Sequence, residues 1–323
     1  MNKSSGTAFD WRRLKEIRSY GRSYKLMIVF PLAVLSFSGL VIYDKIAKKK
    51  IIEKHCNRVK SLANEPMSPL DLPRKVKIYM SPFPGSDLHA SRMQFQKYIC
   101  PILQAGAVDY EIIEGNKEGD LKNYVSEEIR CLRRGELSID PEMQKVMVNV
   151  RPSTEEDCAI IVGRQTLKEY LAGIHEGWLE PLESPHASSS SLEMLGNKSK
   201  DTSAAPLEKS LQSSLPADFS IPILQYIPLP CIFGFFNIPF KILQFSNRRY
   251  LAQIIASKIV DVVLVNETRY WDDSDILLGE EETCNWPKKY RKRTTAGVWT
   301  DDLALDKQIM SHVLFRKYIP HYI

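Results

Sequence analysis

An α/β domain with a mainly parallel sheet, carried behind one N-terminal transmembrane helix, is what the apolar pattern of this 323-residue chain predicts. Three observations lead there. Leu26 to Tyr43 is a run of eighteen residues without a charge. Downstream, short β-rich runs alternate with amphipathic stretches in the order strand, helix, strand, helix, strand, the spacing of parallel crossover units. Hydrophobic residues make up 44% and charged residues 26%, ordinary globular shares that exclude wholesale disorder and a polytopic membrane protein.

The span comes first. At 1.5 Å rise per residue, Leu26–Tyr43 makes a helix about 27 Å long, close to the hydrocarbon thickness of a bilayer. Pro31 and Gly39 are tolerated in membrane helices more readily than in soluble ones. A cleaved signal peptide fits less well: the leading segment is 25 residues long, and the run ends at Asp44 on Val41-Ile42-Tyr43, which is not a small-x-small site. That segment, with Trp11-Arg12-Arg13-Leu14-Lys15-Glu16-Ile17-Arg18, is Arg-rich and acid-poor, as mitochondrial targeting segments are.

Charge is distributed unevenly. The formal net charge is +5, but residues 1–60 hold 14 Lys/Arg against four acids, leaving the remainder at −5. The overall basicity therefore belongs to the anchor and gives no reason to expect nucleic acid. Lys45, Lys48, Lys49 and Lys50 are candidates for the membrane surface, where a basic residue near anionic lipid is worth about 1 kcal/mol. Orientation does not follow from charge: six Lys/Arg flank the span on one side and seven on the other.

After a basic juxtamembrane segment and hinge (44–74, with Pro66, Pro69 and Pro73), the domain begins. Lys75–Ser81 alternates as a strand, and Ser81-Pro-Phe-Pro-Gly85 is a turn. Ser86 or Asp87 can cap the helix that buries Met93, Phe95, Tyr98, Ile99, Ile102 and Leu103. Ala107–Ile113 reads as a second strand and Glu114–Asp120 as an acidic turn. A helix over 121–134 buries Leu121, Tyr124, Val125, Ile129 and Leu132. Cys158–Val162 is a fully apolar strand, and Gly163 opens a helix to about Leu171. This first part runs over 75–183.

Residues 184–220 contain eleven serines and read as a flexible loop. The second part, 221–323, opens with Ile221–Phe240, twenty uncharged residues. Four prolines, Gln225 and Asn237 argue against a second span. The stretch is expected to be buried and irregular, with Phe233, Phe235, Phe236 and Phe240 as partner-docking candidates. Ser246-Asn247-Arg248-Arg249 is expected to cap a helix bearing Leu251, Ile254, Ile255, Ile259 and Val262-Val263. A charged stretch (Asp272–Glu282), a basic patch (Lys288–Arg293) and a closing Leu303–Ile319 segment follow. The patch is read as a solvated turn or an acidic-partner contact.

The chemistry-bearing residues do not gather. The six cysteines stand tens of residues apart with no CxxC and no histidine at ligand spacing, so no metal is expected. Cys100, Cys131 and Cys158 sit in apolar contexts and read as buried thiols. No P-loop, GxSxG, HExxH or GxGxxG occurs. Glu114, Glu118 and Asp120 follow a strand, where an active site could lie, but the sequence places no base or ligand beside them. No catalytic residue and no cofactor is expected.

Taken in order, the longer motifs resemble a fungal family, the Tim fifty-four subunits of the mitochondrial carrier translocase. They are SGLVIYDK (Ser38–Lys45), LPRKVKIYMSPFPGS (Leu72–Ser86), Tyr98 with Pro101-Ile102-Leu103, DYEIIEGNKEGD (Asp109–Asp120), IRCLRRGE (Ile129–Glu136), IIVGR (Ile160–Arg164), GWLEPL (Gly177–Leu182) and GFFNIPFKILQFSNRRYLA (Gly234–Ala252). The resemblance implies a non-enzymatic, single-pass inner-membrane subunit. Its N-terminus would face the matrix and its soluble domain the intermembrane space. It would be a scaffold of the Tim twenty-two complex, docking the hexameric small Tim chaperones near the channel subunit and meeting other translocase subunits and inner-membrane lipids.

A weaker resemblance links the strand–turn–helix opening, DYEIIEG, IIVG and GFFN to diacylglycerol-kinase-like lipid kinases, so the fold is expected to be remotely lipid-kinase-like. Those enzymes carry a GGDGT loop where this chain has Gly163-Arg-Gln-Thr-Leu167, which lacks the consecutive glycines that let backbone cradle phosphate. A membrane-anchored lipid or nucleotide kinase using Asp120, and a general inner-membrane assembly tether, are the alternative functions.

Overall fold

The computed structural model describes residues 11–66, 74–82, 88–134, 158–179, 221–232, 234, 237–284, 286 and 307–317. A single helix, α1 (Trp11–Val59), contains the apolar run and continues past it without interruption, with Pro31 inside. Its 49 residues make a rod about 73 Å long. A 3-10 turn at Leu62–Asn64 follows. The juxtamembrane stretch is thus helical for its first sixteen residues, Asp44 to Val59, and joins the domain rather than hinging from it.

The domain is a six-stranded sheet between two helical layers. In chain order its elements are β1 (Lys75–Met80), α2 (His89–Gln94) running through a π-helical turn (Phe95–Ile99) into α3 (Cys100–Ala105), β2 (Asp109–Glu114), α4 (Asp120–Arg134), β3 (Cys158–Val162), α5 (Arg164–Leu179), β4 (Ile223–Ile227), α6 (Ile238–Ser246), α7 (Arg248–Val263), β5 (Thr268–Tyr270), a 3-10 turn (Asp273–Leu277), α8 (Glu280–Cys284), α9 (Lys307–Met310) and β6 (Leu314–Arg316). The strand order is β2-β1-β3-β4-β6-β5, all parallel except β5. Val76 stands beside Tyr110 on one side and Cys158 on the other, and Cys158 beside Ile223.

Alternation along the strands assigns the layers. Val76, Ile78, Met80, Cys158, Ile160, Val162 and Ile227 face a core completed by Ile99 and Ile102, by Ile255, Ile259 and Val263 of α7, and by Val59 of α1. Tyr79, Ala159, Ile161, Leu224 and Tyr226 face the opposite core, with Leu121, Val125 and Ile129 of α4 and Leu167, Leu171 and Ile174 of α5. α4 and α5 approach closely because Gly173 and Gly177 turn bare backbone to the seam. A Cβ at Gly173 would fall 2.8 Å from Val125 and one at Gly177 2.8 Å from Ile129.

The expected α/β class, the parallel sheet and seven expected elements (β1, the helical stretch of α2 and α3, β2, α4, β3, α5 and α7) are present, with boundaries moved by a few residues: β2 begins at Asp109 and α5 runs on to Leu179. Four expectations are corrected. On α4, Tyr124 and Leu132 are exposed, at 45% and 47%, rather than buried with Leu121, Val125 and Ile129, because they fall on the side of the helix turned away from the sheet. Ile221–Phe240 is not one irregular segment. Ile223–Ile227 is a fully buried strand between β3 and β6, because only tertiary pairing supplies the neighbours that a five-residue apolar run needs. Asn247 makes no side-chain cap on α7, whose first turn is served from another element. Of the three thiols expected in the core, Cys158 is buried, whereas Cys100 and Cys131 are half-exposed. Ser86, Asp87, the Ser-rich loop and the Lys288–Arg293 patch lie outside the described residues.

Candidate functional site

In open parallel sheets, ligands bind beyond the carboxyl ends of the strands, where successive crossovers diverge; here that place lies at the ends of β1 and β3. The described residues there bind one another. The Ser81 amide donates to Thr166 Oγ1 at 3.1 Å, the Ser81 hydroxyl to Glu169 Oε1 at 3.2 Å, and Gln165 Nε2 to the same oxygen at 2.8 Å. Burial pushes the Glu169 carboxyl above its ordinary range, against the pull of those hydrogen bonds.

One strand over, a second carboxylate occupies the helix N-terminus that could receive an anion. Glu282 of α8 accepts the Arg164 amide at 3.0 Å, the Leu229 amide at 2.8 Å and the Tyr226 hydroxyl. Burial raises its pKa too, opposed by those three donors. Arg164 in turn donates to the carbonyls of Leu278 at 2.6 Å and Ile276 at 3.3 Å, fastening α8 over the opening of α5. The packing depends on two glycines. Gly163 has φ +88°, and Gly279 has φ +75° with Tyr226 Oη only 2.3 Å from where its Cβ would stand. A helix N-terminus attracts negative charge, and this one is neutralised by the protein's own side chain.

The acidic turn after β2 has structural partners as well. Glu114 forms a paired contact with Arg92, 2.9 Å from Nε, and Asp120 accepts the Lys117 amide at 2.8 Å. Glu118 is exposed. Among the described residues no group of three or more His, Cys, Asp or Glu could hold a metal ion.

The second notable place is the junction of α1 with the domain. Val29 to Tyr43 is exposed nearly throughout, Phe30 at 72% and Leu35 at 69%, so the described chain does not cover the apolar run. Exposure ends abruptly at Asp44, which is 4% exposed. Its Oδ1 accepts the Arg249 amide in the first turn of α7 at 3.2 Å. The Arg249 guanidinium lies 5.3 Å from the ring of Tyr43 and 4.9 Å from that of Tyr250. From there α1 turns His55 and Val59 into the domain, and Cys56 Sγ meets the Pro101 carbonyl at 3.5 Å. Because the buried positions of α1 all lie after Asp44, α7 starts level with the end of the span and runs alongside α1 away from it.

The predicted site residues divide at this junction. Leu26 and Tyr43 lie in α1, Tyr43 at the point where packing begins. Lys45, Lys49 and Lys50 are exposed just beyond it, while the Lys48 ammonium turns to the Tyr98 ring at 5.4 Å. Phe240 projects from α6, 61% exposed; Phe233, Phe235 and Phe236 lie outside the described residues. Asp44, Arg249, Tyr226 and Glu282 were not singled out. Asp44 left a trace in the sequence as the acid that directly ends the uncharged run, ahead of a mainly basic flank.

Comparison with known proteins agrees with this architecture. A family described as inner membrane protein import complex subunit Tim54 matches residues 23–212 and 198–315. The mitochondrial import inner membrane translocase subunit tim54 of Schizosaccharomyces pombe is 30% identical over 320 residues, 89% of this chain and 91% of that one. The Aspergillus oryzae protein of the same name is 30% identical over 372 residues, covering 88% and 82%. The Saccharomyces cerevisiae protein is 22% identical over 426 residues, covering 89% of each. With a family match over most of its length and relatives of 30% identity covered over more than four fifths, this chain belongs to the Tim54 family of inner-membrane protein import complex subunits.

Proposed function

We propose that the chain is a non-catalytic scaffold of the mitochondrial inner-membrane translocase that inserts multispanning carrier proteins. Its N-terminus faces the matrix, its domain stands in the intermembrane space, and the domain docks the small Tim chaperone hexamer near the channel subunit. The observation that carries this reading is the filled crevice. Glu282 and Glu169 occupy the two openings where a doubly wound sheet would take a ligand, and both are held by the chain's own donors. An unbroken helix from span to domain also suits a scaffold, since it transmits position rather than chemistry.

Purification of the tagged full chain from mitochondria, with protease protection in mitoplasts, tests the proposal. The channel and small chaperone subunits are expected to co-purify, and the domain to be digested only after the outer membrane is opened. Recovery as a free monomer would overturn the scaffold, and a protected domain would overturn the orientation. A lipid or nucleotide kinase remains the rival, and nucleotide binding abolished by Asp120→Ala would establish it instead.

A further inference from the structure

The nine-residue helix α6, Ile238–Ser246, reads IPFKILQFS, and its large apolar side chains face outward: Phe240 is 61% exposed, Leu243 58%, Ile242 45%, Phe245 42% and Ile238 40%. Lys241 is its single charge. A soluble domain ordinarily turns such a face inward. Neither core includes it. Its position explains the exposure. α7 begins level with Asp44, the first residue past the apolar run, and runs away from the span; α6 precedes α7 by one residue, Asn247, and packs beside α1. The helix therefore lies beside α1 and close to Asp44, where the apolar run ends. Around it stand the groups that favour a lipid–water boundary: Tyr43 and Tyr250 flanking the Arg249 guanidinium, and Arg248 4.4 Å from the Phe245 ring.

We propose that α6 is an interfacial helix, lying in the outer boundary of the same leaflet that the span exits, with Phe240, Ile242, Leu243 and Phe245 among the acyl chains and Lys241, Arg248 and Arg249 at anionic headgroups. The occupant of the exposed face is phospholipid. Two arguments select it. The helix packs beside the helix that carries the exposed apolar run. The charges on it and directly after it, Lys241, Arg248 and Arg249, are basic, while the one nearby acid, Asp44, is taken up by the Arg249 amide. The domain then meets the membrane at two places, the rod and the flat helix, and cannot swivel about the span. This inference rests on the span and on the exposure of α6, and goes beyond the translocase role.

Site-specific photocrosslinking distinguishes the occupants. The full chain is made with Phe240→p-benzoylphenylalanine or Leu243→p-benzoylphenylalanine and reconstituted in nanodiscs of phosphatidylcholine with phosphatidylglycerol. Tyr124→p-benzoylphenylalanine, at an exposed aromatic of α4 on the far layer, is the reference. On irradiation, adducts bearing the mass of a phospholipid are expected at 240 and 243 in several-fold excess over 124. An equal yield at all three positions, or adducts joining two copies of the chain, would overturn the proposal. The same variants irradiated in mitochondria should again give lipid adducts; adducts to another protein at both positions would overturn it there. Because all three side chains are exposed, the changes leave the core intact, and an unchanged urea midpoint of each variant checks this.

Discussion

Asp44 Oδ1 accepts the backbone N–H of Arg249 at 3.2 Å, so the first residue past the apolar run serves a helix 205 positions downstream. A carboxylate at a helix N-terminus satisfies an unpaired amide and meets the positive end of the helix dipole. Here it also ties the start of α7 to the end of the apolar run.

Asp44→Ala is expected to lower the stability of the full chain in detergent by about 1–2 kcal/mol, the range for a lost cap. Asp44→Asn, which keeps an acceptor, should recover most of it. The urea midpoint followed by tryptophan fluorescence is the measurement; equal losses in the two variants would show that the hydrogen bond is not what matters.

Glu282→Ala would leave the Arg164 and Leu229 amides and the Tyr226 hydroxyl buried and unpaired, and the domain should lose about 3 kcal/mol or more. Tyr226→Phe removes one donor only and should cost about 1 kcal/mol. If the crevice were a ligand site held open in the native protein, the alanine variant would instead be nearly neutral.

Gly173→Val and Gly177→Val would each place a side chain in the α4–α5 seam, where even a Cβ meets its neighbour at 2.8 Å. Overpacking of that kind costs about 1–3 kcal/mol, and the rigid backbone at the seam places these variants at the upper end. Thermal unfolding should show both below the parent. Gly119→Ala has open space around its Cβ but a φ of +86°, so it should cost less, through backbone strain alone.

Lys258 is half-buried, its Nζ 3.0 Å from the Tyr226 carbonyl, and desolvation of the ammonium lowers its pKa from 10.5 to about 8. The unfolded chain then holds the proton more tightly than the folded one. Stability should rise with pH between about 8 and 10.5, as the folded lysine sheds a charge the unfolded chain retains. Urea midpoints across that window should climb in the parent and climb less in Lys258→Met.

Much of the α/β layout was legible because the sheet is buried on both faces, and buried strands announce themselves as short apolar runs such as Cys158–Val162. β4 escaped for the same reason. Its apolar residues merge with those of the following segment, and Pro222 and Pro228, which bracket it, are two of four prolines spread over the whole uncharged stretch. The carboxylates were legible as acids but not as partners, since Glu282 meets Arg164 across 118 positions.

By itself the sequence determined where the membrane run begins and ends, that the charge is split between a basic anchor and an acidic domain, and which motifs carry the family. These are properties of consecutive residues, written in composition and period. Only the tertiary structure decided that the apolar run and the domain share one helix, that Asp44 caps α7, and that α6 stands exposed beside α1. Each depends on residues distant in sequence meeting in space, and no local pattern encodes which buried acid will find which unpaired amide.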